Sequence, residues 1–285
     1  MKRDDLLHPS VSGNKFRKLK HNLFEMQRLG LRQLVTFGGA FSNHIHATAA
    51  AGAIFGIETF GIIRGEPTTP LSKTLEFAAA CSMNLHFVSR ANYRDKTLIV
   101  NQLKERIGEF YLLPEGGTNT FALRGAAEIV AEVREQLGAA PDYFCVPCGT
   151  GGTAAGIISA TDAAVERVIG FSVLKGNFLQ KDVTTLLNEM PVDHKSIHKN
   201  WTINTDFHFG GYAKWNKSLI HFINNFKQKH NVAFDPIYTG KMMFGIFDLV
   251  ENGFFKENTT IIAVHTGGLQ GIAGFNQRFG QLIDV

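Results

Sequence analysis

Cysteine is scarce in this chain of 285 residues: Cys81, Cys145 and Cys148 are the only three, too few for a disulfide framework. Cys145 and Cys148 stand in C-x-x-C spacing, but a lone pair supplies only half of a zinc site. The expectation is ordinary thiols in a reducing compartment and no metal. Long apolar runs are also lacking. The richest stretch, residues 47–57, is too short to cross a bilayer and ends at Glu58. The opening MKRDDLLHP carries charge where a secretory leader needs an apolar core. These absences point to a soluble, cytoplasmic protein that does not enter a membrane. No block of one charge sign stands out either: 29 Lys and Arg against 25 Asp and Glu leave a formal +4 and a pI near 8.9. Without a basic run to follow a phosphate backbone, nucleic acid is not an expected partner. A mild positive bias suits an enzyme that holds anionic small molecules.

What the chain does have is hydrophobic residues, 44%, and glycine, 29 residues. Its length can bury one large core or two smaller ones. Short β-rich runs alternate with helical ones: strands over 34–38, 59–63, 85–89 and 110–114, with helix-like SNHIHATAAAG and PLSKTLEFAAA between them. A long helix from residue 121 stops at Gly138, ahead of Pro141. A second series follows, with strands at 142–147, 167–173 and 260–265 and a helix from Ala154. Two series of βα units predict an α/β protein of two domains with a ligand cleft between them. No internal repeat or low-complexity linker interrupts them.

Three segments could carry chemistry. Gly149-Thr150-Gly151-Gly152-Thr153 lies between a predicted strand and a predicted helix, where glycine lets backbone N–H groups approach an anion and the helix dipole favours it. It is a phosphate cup or a tight turn with a threonine cap. It lacks the Lys-Ser or Lys-Thr of a Walker loop and the spacing of a dinucleotide fingerprint. Ser12-Gly13-Asn14-Lys15 leads into a helix with Leu19 and Leu23 four residues apart. In a cleft, desolvation would free the Lys15 amine as a nucleophile; on the surface, it is one more solvated charge. Gly38-Gly39-Ala40-Phe41-Ser42-Asn43-His44 opens another helix, as an N-cap or as a ligand turn.

Together these segments resemble the fold type II pyridoxal-phosphate enzymes, and within them the 1-aminocyclopropane-1-carboxylate deaminase and D-cysteine desulfhydrase group. The resemblance runs through KRDDLLHPSVSGNKFRKLK at 2–20, GGAFSNHIHATAAAG at 38–52, LPEGGTN at 113–119, PCGTGGTAAG at 147–156, DPIYTGK at 235–241 and HTGG at 265–268. It implies a tryptophan synthase β-like architecture: mainly parallel twisted sheets with helices on both faces. Residues 1–17 and 112–285 would form the larger, cofactor-binding domain and 18–111 the smaller. Family members usually carry a further strand before KRDDL. Here the motif follows Met1 almost directly, which implies a truncated start or a larger domain without that strand.

The resemblance also implies roles. Lys15 would hold pyridoxal 5′-phosphate as a Schiff base and Lys18 would approach its phosphate, cupped by Gly149, Thr150, Gly151, Gly152 and Thr153. Asn43 would bond the pyridoxal 3′-oxygen. Ser42 would face the substrate, and Tyr238 with Tyr212 would move protons or orient. Thr239 and Thr266 would also belong to the cofactor site, where the ring-opening deaminases resemble one another in a glutamate at the place of Thr239 and a leucine at that of Thr266. Thr266 would instead offer a hydroxyl to the pyridine nitrogen, and His44 resembles the desulfhydrase side. The implied activity is α,β-elimination from a small amino acid such as D-cysteine, by a homodimer. Ring opening to 2-oxobutyrate and a catalytically silent cofactor-binding protein are the alternatives.

Overall fold

A computed structural model describes residues 1–190 and 200–284. Its strands are β1 (Lys2–Arg3), β2 (Gln33–Gly39), β3 (Glu58–Arg64), β4 (Asn84–Val88), β5 (Tyr111–Leu113), β6 (Tyr143–Cys148), β7 (Arg167–Ser172), β8 (Trp201–Asn204) and β9 (Ile261–His265). They form two parallel sheets, a larger one in the order β1-β9-β6-β7-β8 and a smaller one in the order β4-β3-β2-β5. Every strand expected from the sequence is there. Two were not anticipated, Lys2–Arg3 and Trp201–Asn204.

The helices among the described residues are α1 (Asn14–Arg28), α2 (Asn43–Phe55), α3 (Lys73–Ala80), α4 (Lys96–Ile107), α5 (Thr120–Leu137), α6 (Gly152–Ala160), α7 (Phe178–Asn188), α8 (Lys217–His230), α9 (Thr239–Glu251) and α10 (Gly271–Phe279). None is long and apolar enough to cross a membrane. The caps have local causes. Asn119 accepts from the N–H of Ala122 at 2.9 Å to start α5, and Gly138 ends it in the left-handed region. Helix α6 starts at Gly152 rather than Ala154, because the glycine turn supplies its first residues.

Strand β6 shows why the central strands read as unbroken apolar runs. Phe144, Val146 and Cys148 pack into a core with α5, α6 and α7, while Cys145 faces the opposite core with α8, α9 and α10. The C-x-x-C thiols thus lie on opposite faces of one strand; both are free and buried.

Three contacts bring distant segments to one place. A Cβ on Gly13, which has a φ of +62°, would fall 1.9 Å from the Thr266 carbonyl oxygen, so glycine alone lets the first turn lie on the loop after β9. A Cβ on Gly125 would fall 2.0 Å from the Arg17 carbonyl oxygen, which seats α1 against α5. Buried Arg17 then chelates Asp4 and Glu132 together. Strand β5 pairs with β2 and closes the smaller sheet at Leu113.

Candidate active site

A cavity of about 910 Å³ opens where the carboxyl ends of β2, β6 and β9 meet the start of α1. Parallel sheets bind ligands at this end because the strand-to-helix turns leave backbone donors there. Lys15, Lys18, Ser42, Asn43, Gly149, Thr150, Gly151, Gly152, Thr153, Tyr212, Tyr238 and Thr266 all line it. Thr239 does not. Its hydroxyl donates to Asp235 Oδ1 at 2.7 Å and accepts from the Asp235 N–H at 3.0 Å, and the residue is fully buried at the start of α9.

Lys15 stands on the first turn of α1, and burial pushes its ammonium down to about 8. Lys18, one turn further along, is buried and donates to Thr118 Oγ1 at 3.0 Å and to the Gly116 carbonyl at 3.3 Å. Burial first, and then the Lys15 charge, push its ammonium well below the usual lysine range. Thr150 Oγ1 meets Thr118 Oγ1 at 2.8 Å, and Thr153 Oγ1 accepts from Asn14 at 2.9 Å. Two cations, two threonine hydroxyls and the start of α6 therefore face one space. A Cβ on Gly152 would lie 2.7 Å from Thr118 and 3.0 Å from Lys18 Nζ, so glycine keeps that space open.

On the opposite wall, Ser42 caps α2 by accepting from the Ile45 N–H at 3.3 Å, which leaves its own proton to donate into the cavity. The cap and the ligand turn are thus compatible. Asn43 packs against the loop after β9, where a Cβ on Gly268 would meet its Nδ2 at 2.8 Å. The rings of Tyr212 and Tyr238 meet edge to face with centroids 6.1 Å apart. Burial raises both phenols, so each keeps its proton at neutral pH. Asp235 fixes Tyr238 by accepting from the N–H groups of Ile237 and Tyr238 at 2.9 and 2.8 Å.

The family described as pyridoxal-phosphate dependent enzyme matches residues 1–267. The chain belongs to that family. It is 30% identical to an Arabidopsis thaliana protein named bifunctional D-cysteine desulfhydrase/1-aminocyclopropane-1-carboxylate deaminase, over 95% of this chain and 72% of that one. It is 26% identical to a D-cysteine desulfhydrase of Klebsiella pneumoniae, over 97% and 88%. A crystal structure titled as an ACC deaminase homologue superposes with a TM-score of 0.85 at 25% identity, covering 99% of this chain and 88% of that one.

The cofactor of this pyridoxal-phosphate dependent enzyme fits the residues present. Lys15 is the amine in the cleft, and the space kept by Gly152 has the cations and donors that a phosphate needs. Two features went unread in the sequence. Thr36 Oγ1 gives its one proton to the Leu113 carbonyl at 2.9 Å, so it accepts from His44 Nε2 at 2.7 Å. That fixes the tautomer of His44 and leaves its buried Nδ1 as an acceptor without a partner, in a cavity-lining residue. Burial and the Lys15 charge keep this imidazole neutral. Lys241, quoted in DPIYTGK without a role, donates to the carbonyls of His208 and Gly211 at 2.9 and 2.8 Å and so holds the loop that carries Tyr212. Only the run of like residues around each could have hinted at these; the contacts join segments far apart in the chain.

Proposed function

We propose that this enzyme catalyses α,β-elimination from a small amino acid, as in D-cysteine desulfhydration to pyruvate, ammonia and sulfide. The observation that carries the reading is the acid content of the cavity wall. Its one carboxylate among the described residues is Glu115, which is bonded to Lys96 at 2.7 Å. Thr266 instead supplies a neutral hydroxyl, and such a partner does not hold a pyridine nitrogen protonated as a carboxylate does.

Bound in this cleft, pyridoxal phosphate draws electron density from the α-carbon of an amino acid, and a neutral ring partner makes that pull modest. An elimination that passes its electron pair to a β-leaving group needs less pull than a ring opening. Lys15, with an amine near 8, exchanges a proton close to neutral pH and serves as the base for the α-hydrogen. Tyr238 and Tyr212 keep their protons and donate toward the substrate side, and Ser42 donates to its carboxylate. Lys18, Thr150 and Thr153 would hold the cofactor phosphate and Asn43 the 3′-oxygen. Thr239 acts only through Asp235, by steadying the turn that carries Tyr238.

Incubating cofactor-loaded protein with D-cysteine should release sulfide and pyruvate in equal amounts. Release of 2-oxobutyrate from 1-aminocyclopropane-1-carboxylate with no sulfide from D-cysteine would favour ring opening instead. The proposal extends to a cytoplasmic homodimer, supported by family resemblance, with residues 1–17 and 112–285 as the cofactor-holding domain. Light scattering should give twice the 31.5 kDa of one chain.

A further inference from the structure

The cavity wall carries far more positive charge than one cofactor and one amino acid require. Six cationic side chains line it against the single carboxylate of Glu115. Lys15 and Lys18 answer the cofactor. Four arginines remain: Arg64, Arg90, Arg94 and Arg278. All four are exposed, and among the described residues none makes an ion pair or donates a side-chain hydrogen bond. Contrast Arg17 and Arg134, whose guanidiniums are engaged by carboxylates.

Their placement follows from the order of the smaller sheet. Strand β2 ends at Gly39 and leads into the Ser42 turn. Arg64, the last residue of β3, is the register partner of Gly39, and its Nη2 lies 3.8 Å from where a Cβ on Gly39 would stand. Arg90 and Arg94 follow the end of β4, the next strand out. Arg278 lines the cavity from the last turn of α10. The Arg64 charge also reaches Tyr212 and pulls its phenol down against the rise from burial. The Arg64 guanidinium thus lies beside Gly39 and over the Tyr93 ring, 5.7 Å from its centroid, on the wall that Arg90 and Arg94 also line.

We propose that these arginines form a subsite for a second acidic group, so that the preferred substrate carries an acidic group on its side chain in addition to the β-leaving group that the elimination expels. The inference rests on the reading of the cleft as an amino-acid elimination site and refines its substrate. The geometry suits it. Arg64 Nη2 reaches back to the end of β2, 3.8 Å from where a Cβ on Gly39 would stand and three residues before Ser42, so an amino acid held by its α-carboxylate at the Ser42 turn brings a second acidic group toward that guanidinium. Guanidinium binds such a group through paired N–H donors. A neutral side chain leaves it unanswered.

The test titrates the cofactor-loaded enzyme with aspartate and asparagine, each as both stereoisomers, and follows the cofactor absorbance. These amino acids differ in one charge and hardly in shape. For at least one stereoisomer the acid should bind about tenfold or more tighter than the amide. The ratio should fall toward one in Arg64→Gln, recover in part in Arg64→Lys and shrink in Arg94→Gln. A ratio near one in the unaltered enzyme overturns the subsite, as does a ratio that neither glutamine variant moves. If no amino acid, D-cysteine and D-alanine included, changes the spectrum, the amino-acid reading of the cleft fails with it. If neutral amino acids bind and acids gain nothing, only the subsite fails.

Discussion

The depressed amine of Lys15 sets the speed at which the empty protein captures its cofactor. Only the neutral amine adds to an aldehyde. With burial holding the group near 8 rather than at the ordinary 10.5, about one molecule in ten is neutral at pH 7, against about one in 3,000 for a free lysine side chain. The advantage is about 300-fold. Stopped-flow absorbance with apoprotein and pyridoxal phosphate reads the rate, and Nα-acetyl-lysine at each pH cancels the titration of the cofactor itself. The ratio of the two rates should stay level below pH 8, because both amines gain tenfold in neutral fraction per pH unit. Between 8 and 10.5 it should fall tenfold per unit, since Lys15 is already neutral while the free amine is still deprotonating. Lys15→Ala should show no capture. A ratio level to pH 10.5 would refute the desolvated amine and leave Lys15 an ordinary surface charge.

Lys15 and Lys241 both have folded-state values near 8, below the unfolded 10.5. The unfolded chain binds more protons between these values, so these groups make apoprotein stability rise with pH from 8 toward 10.5, which urea melts at fixed pH can read. Gly13→Ala forces a side chain into the Thr266 backbone at a φ of +62°, where strain alone costs ~1–3 kcal/mol. Its melting temperature should drop by about 5 °C or more and its cofactor affinity should fall; a melt within about 1 °C of the parent refutes the contact. Lys241→Met leaves the His208 and Gly211 carbonyls unpaired at a cost of ~1–3 kcal/mol. It should raise KM while the cofactor band persists, because the loop it frees carries Tyr212 rather than Lys15.

Much of this was legible in one dimension. The β-rich runs marked seven of the nine described strands, and Gly138 marked the end of α5. Lys15 gained meaning only in company with the glycine loop and the Ser42-Asn43 turn, and the fold does place all three around one cavity. What stayed hidden depended on contacts that spacing does not encode. The tautomer of His44 is set by Thr36 on β2 and by the carbonyl of Leu113 on β5. Thr239 sits beside Tyr238 in the chain, yet its hydroxyl turns to Asp235. Arg64, Arg90 and Arg94 become neighbours only once β3 and β4 pair.

Strand β1 pairs with β9, matching Lys2 to Val264, and Gly13 rests on Thr266. The ribosome therefore delivers the reactive lysine well before the floor beneath it. Until β9 emerges, the nascent chain displays a solvated amine without that floor. Cofactor capture is thereby tied to the arrival of β9, because the desolvation that quickens the amine comes only when that strand docks against β1.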